Sequence, residues 1–184
     1  YNNYFFERDG ETTTVKNQYK FEVKLLSATI FKVEGYGEEI YLNDRLISFQ
    51  SKTLQNKKEK FVSLKLDKNK KKFNIKGSSY SGEASLKNII GNWWSHKILQ
   101  AESQISPISG SIKEQLVTFI GKENVAINGK EFETDHFKLT SKDMSLPEDK
   151  RLNFDIWLDK KTSVIVKVTY ERMGNWEYRL KNIE

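Results

Sequence analysis

The 184-residue chain has no cysteine, which excludes disulfides, thiol nucleophiles, cysteine-ligated zinc and iron–sulfur clusters. Its net charge of +6 favours anionic surfaces but is too small to point to nucleic acid, and no apolar run nears the roughly 20 residues of a membrane span. Aromatic residues at 12% set it apart from disordered chains, and one domain of this length buries about two thirds of its unfolded surface without covalent staples.

The leading period is two. Tyr4 to Arg8 reads as a short strand closed by the Asp9-Gly10 turn. From Val15 to Leu25 the odd positions are mostly apolar (Val15, Tyr19, Phe21, Val23, Leu25) and the even ones polar, which is a strand with one buried and one wet face. Ala28 to Leu42 continues the pattern, and its Gly35 and Gly37 suggest a bend or bulge of a curved sheet. Arg45–Leu54, Lys60–Leu66 and Lys71–Lys76 follow, joined by the lysine-rich loops Gln55–Lys60 and Asp67–Lys72.

Leu86 to Ala101 breaks the alternation. Ile89, Ile90, Trp93, Trp94, Ile98 and Leu99 recur at three-to-four spacing, which predicts a helix, with Gly91 weakening its middle. Ser103–Ser111 reads as a loop through Pro107 and Gly110. Further strands are expected at Ile112–Ile120, Asn124–Ile127, Glu131–Thr140, Leu152–Leu158, Ser163–Glu171 and Trp176–Leu180, with turns at Ile127–Lys130, Leu158–Ser163 and Met173–Asn175. Strands joined by short turns predict an antiparallel meander. The expected fold is mainly β: a single domain over 1–184, built as one highly curved antiparallel sheet of about 10–11 strands. It takes the form of a half-barrel or open barrel, because so many strands must curl or split. The insertion at about 86–111 would pack its helix on the concave face.

The segments "FERDGETTTV", "YKFEVKLL", "EEIYLNDRLISFQSKT", "NWWSHKILQAESQISPISGSI" and "DIWLDKKTSVIVKV" occur in an order that resembles a family of exported bacterial proteins known as a domain of unknown function. The likeness covers most of residues 5 to 180. The strand order is also similar to the lipoprotein carriers LolA and LolB, which hold acyl chains between a concave sheet and a helical lid. The resemblance implies an exported, periplasmic bacterial protein with a concave apolar face; the start on Tyr1 rather than Met fits removal of a leader. The family carries a strand before the "ERDG" turn, of which this chain includes little.

Trp93 and Trp94 point about 100° apart on a helix. They either pin it to the sheet or line a pocket, together with Phe31, Tyr41 and Trp157. His96 lies beside them. It and His136 are the only imidazoles, and neither stands in a nucleophile–base–acid pattern: Ser95 is a sequence neighbour, Asp135 and His136 alternate to opposite faces, and no G-x-S-x-G elbow occurs. No H-x-x-x-H spacing or calcium loop is present, so no metal or cofactor is expected. Glu22, Glu34, Glu38, Glu39 and Asp155 lie on strands without a spacing that singles out a glycosidase pair. The two lysine loops bracket one strand, roughly 20 Å apart at about 3.3 Å per residue, which reads as dispersed solubility charge rather than a nucleic-acid face.

These residues, together with the export that the resemblance implies, point to a non-enzymatic, exported protein that binds or carries a lipid or acyl chain. Trp93, Trp94, His96, Phe31, Tyr41 and Trp157 would line the site, and Leu86–Ala101 or Ser103–Ser111 would act as a lid. Two alternatives stand beside it: a structural module with a side-chain-filled core whose sheet edges recruit an envelope protein by strand addition, and, behind both, a hydrolase.

Overall fold

The computed structural model describes residues 1–26, 28–171 and 175–183. The mainly β, antiparallel fold expected of a curled, half-barrel type of sheet is what these residues form. Their hydrogen-bonded strands fall into two seven-stranded sheets rather than one continuous ladder. The first sheet runs in chain order through β1 (Asn2–Asp9), β2 (Thr12–Leu25), β3 (Ala28–Leu42), β4 (Arg45–Gln55), β5 (Lys58–Asp67), β6 (Lys72–Gly77) and β7 (Ser81–Ser85). The second is also sequential: β8 (Ile89–Ile90), β9 (Ser103–Ile105), β10 (Ile112–Ile127), β11 (Lys130–Ser141), β12 (Asn153–Asp159), β13 (Ile165–Glu171) and β14 (Asn175–Arg179). The chain divides into two compact units, Tyr1–Leu86 with Ile105–Ile112, and Lys87–Gln104 with Lys113–Glu184.

Turn chemistry sets the registers. The loops Asn43-Asp44, Asn56-Lys57 and Asn128-Gly129 each place both residues at positive φ. That backbone matches the strand twist in two-residue hairpins, and asparagine and glycine adopt it most readily. Register shifts at Val23/Lys24, Ile40/Tyr41, Phe119/Gly121 and Trp157/Leu158 bend their strands and curl the sheets. One of these joins the two expected strands 112–120 and 124–127 into the single β10. The turn expected at Met173–Asn175 falls in part outside the described residues.

Gly35 and Gly37 do not mark a bulge, contrary to the expectation. A Cβ on Gly35 would lie 2.5 Å from Lys52 O and 2.7 Å from Tyr19 Oη, so the glycine instead makes room for the Tyr19 ring across the strand pair. The predicted helix is also absent. Residues 86–101 hold β8 and one 3₁₀ turn, His96–Leu99, with Ser95 Oγ accepting from Lys97 N at 3.3 Å. Gly91, Asn92 and Ser95 disfavour a continuous helix. The three-to-four spacing arises because Ile90 and Ile98 are buried from separate short elements.

The first sheet has one apolar face, whereas the second buries apolar clusters on both, with Ile127, Trp157 and Val166 on the side away from Leu139 and Ile156. In the first, Val15, Val33, Phe49, Val62, Leu64, Phe73, Ile75 and Ala84 are buried. In the second, Leu139, Ile156, Ile165 and Val168 pack with Leu152 and with Ile98 of the 3₁₀ turn. Burying a side chain of this size is worth about 1.5–3 kcal/mol.

Candidate functional site

The strand Glu131–Ser141 alternates strictly. Leu139 packs in the apolar cluster, and Phe137 shares its face by alternation, so His136 and Lys138 face the other way. In β12, Phe154, Ile156 and Leu158 face the cluster, which sends Asp155 and Trp157 to the same side as His136. Register then brings them together: His136 pairs with Trp157 and Lys138 with Asp155, and Trp157 pairs with Lys167 of β13.

The result is a closed ladder. His136 Nε2 lies 2.8 Å from Asp155 Oδ1, and Lys138 Nζ donates to Asp155 Oδ2 at 2.6 Å. His136 Nδ1 is 3.3 Å from Glu123 Oε1, and the Trp157 indole N–H donates to the same carboxylate. The His136 ring stacks on Trp157 with centroids 4.4 Å apart, and the Lys167 ammonium sits 4.1 Å from the Trp157 centroid. Lys167 also pairs with Glu177 at 3.3 Å, and Arg179 with Glu177. Burial pushes the Asp155 carboxyl up, but hydrogen bonds from Lys138 and His136 and the adjacent ammonium outweigh it and hold it below its ordinary range. Thr134, on the same face, donates its hydroxyl to Glu123 O at 2.8 Å. In this network both oxygens of Asp155 and both ring nitrogens of His136 are engaged, and no hydroxyl is aimed at the imidazole, so the arrangement holds strands together rather than activating a nucleophile.

Beside the ladder lies a cavity of about 140 Å³, lined by Lys122, Glu123, Asn124, Glu133, Thr134 and Lys160. Pockets for small organic ligands run from about 300 Å³ upward, so this one suits water or a small ion. Lys160 already pairs with Glu133 at 3.5 Å.

The expected ligand-lining residues fall in both units. Trp93 packs on the apolar cluster, its ring 4.9 Å from that of Phe154. Trp157 stands on the opposite face of that sheet, 7% exposed. Trp94 and His96 are half-buried next to Trp93. Phe31 and Tyr41 belong to the first unit. Tyr41 donates to Glu39 Oε2 at 2.5 Å, and burial, then the charge of Glu39, pushes its phenol well above the ordinary range. Phe31 meets Phe21 edge-on, centroids 6.2 Å apart. Sequence reasoning missed Glu123, Lys138 and Lys167 because alternation gives the face of each residue but not its neighbour on the next strand.

The class this fold defines is a mainly β protein of two seven-stranded sheets, each with its strands in chain order. The chain belongs to the family described as a domain of unknown function (DUF6134), which matches residues 1–181. No curated protein and no solved structure matches it.

Proposed function

We propose that the protein is a non-catalytic, exported binding protein that takes a lipid or acyl chain on the apolar face of its first sheet. The observation that carries this reading is the Phe21–Phe31 pair. Along that face Val15, Val33 and Phe49 are buried, yet Phe21, Val23 and Phe31 stay half-buried, because β4 pairs with β3 only as far as Val33. The β2–β3 hairpin thus carries apolar surface past its neighbour. An acyl chain laid there gains about 0.8 kcal/mol per CH₂ removed from water. The exported location rests on the family resemblance, and the comparison with LolA and LolB on strand order alone.

Native mass spectrometry of freshly purified protein, followed by solvent extraction, tests this. A discrete added mass extracting as a fatty acid or phospholipid, and reduced in Phe31→Ser, is the expected result. A bare chain mass with no thermal shift on adding palmitate would overturn it. One observation favours the second reading, docking of an envelope protein: Leu116, Phe119 and Ile120 of β10 are each about half exposed.

A further inference from the structure

The charged face of the first sheet carries a row of side chains that nothing above uses. Register aligns Asn3 with Gln18, Gln18 with Tyr36, Tyr36 with Lys52 and Lys52 with Phe61. These five residues lie in one line across β1 to β5, on one face, and all are exposed. Tyr36 is 53% exposed and Phe61 50%. Phe5, in the adjacent row beside Lys16 and Glu38, is 50% exposed. Among the described residues none of these three rings meets another ring or a cation, and Lys52 and Lys76 make no ion pair.

Single exposed rings are ordinary on a protein surface; what sets Tyr36 and Phe61 apart is that register places them in one row on either side of Lys52. The rings are separated by amides and charges rather than joined into an apolar patch, which is a poor match for the core of a protein interface. Tyr36 and Phe61 stand on alternate strands, roughly 10 Å apart at about 4.8 Å per strand. That interval suits every second ring of an extended sugar chain, whose apolar C–H faces stack on aromatics while its hydroxyls meet amides. Lys52, midway between the rings and in no ion pair among the described residues, supplies a counter-charge for a carboxylate. Glu38, two residues along the same strand from Tyr36, offers an acceptor for sugar hydroxyls, and Glu34 on its other side is held by Lys32 at 2.9 Å.

We propose that this row, Asn3–Gln18–Tyr36–Lys52–Phe61, binds an extended acidic polysaccharide. The site lies on the opposite face from the proposed apolar ligand and does not depend on it.

Native gel electrophoresis through polygalacturonate, dextran or no polymer, with oligothymidylate as a solution competitor, tests the proposal. Retardation by polygalacturonate, weakened by salt and stronger than by dextran, is expected. Ring stacking of the usual strength implies about a tenfold loss of affinity for Tyr36→Ala or Phe61→Ala, and Lys52→Gln should weaken binding and flatten its salt dependence. Circular dichroism confirms that each variant is folded. No retardation of the wild type, equal retardation by dextran, retardation unchanged in all three variants, or displacement by oligothymidylate at lower concentration than by oligogalacturonate would overturn it. Lipid content by mass spectrometry is read separately, so failure of either proposal is distinguishable from failure of the other.

Discussion

The two sheets carry the same residue types on their charged faces and both pair charges there, the first through Lys16–Glu7, Lys20–Glu22 and Lys32–Glu34, but they use their aromatic rings differently. On the second sheet, Trp157 lies between His136 and Lys167, and Asp155 is held by His136 and Lys138. On the first, Tyr36, Phe61 and Lys52 stand in one row and make no ring or ion-pair contacts among the described residues, although each has a neighbour at cross-strand distance. Cross-strand pairs of these kinds contribute about 0.2–1 kcal/mol each. Rings that are paired within a face serve stability, and rings left open beside a lysine are available to a ligand. Where the first sheet does pair charge, the effect is clear: hydrogen bonds from Lys70 and Lys72 lower the Glu83 carboxyl to about 2.

The buried faces set the scale of any test. Ile98→Ala removes a fully buried side chain from the Leu139 and Ile156 cluster of the second sheet, and should cost about 2–5 kcal/mol in urea unfolding. A cost below 1 kcal/mol would mean that the 3₁₀ turn is not part of that core. Gly35→Ala drives a methyl into Lys52 O and the Tyr19 hydroxyl, and should cost about 1–3 kcal/mol. Because it displaces the strand that carries Lys52, it should also weaken polysaccharide binding.

Asp155→Asn probes the paired face directly. It loosens hydrogen bonds from Lys138 and His136 and should cost about 1–3 kcal/mol. The folded-state carboxyl lies below its ordinary value of 3.8. Its contribution is therefore present above that value and is lost as pH falls through the lowered one. Wild-type stability should decline from about pH 5 downward, and the Asn variant should show a shallower decline over the same range. Parallel curves would remove Asp155 from the acid response.

The smallest stability effect is expected on the open face. Phe61→Ala and Tyr36→Ala should each change unfolding free energy by no more than about 0.5 kcal/mol, whatever they do to binding. A loss of 2 kcal/mol in either would make that ring a structural element and erase the contrast between the faces.

Much of the fold was legible because alternation is local. Val15 to Val23 and Glu131 to Thr140 announced their faces, and Asn128-Gly129 announced its hairpin. The region around Trp93 was misread for the same reason: residues buried from a two-residue strand and a 3₁₀ turn imitate helical spacing, and only their contacts with the apolar cluster of the second sheet separate the two. Of the six residues expected at a ligand site, Trp93 and Trp157 show the limit most clearly. Both are aromatic in apolar settings, yet they stand on opposite faces of one sheet.

The sequence by itself determined that this is a β protein, where most of its turns lie, and which residues of each strand share a face, since period, turn residues and side-chain direction depend on neighbours a few positions away. Tertiary structure alone decided that His136 meets Asp155 and Trp157, that Gly35 yields to Tyr19, and that Tyr36, Lys52 and Phe61 form one line. Those relations depend on strand register, which turn geometry and burial fix between residues far apart in the chain.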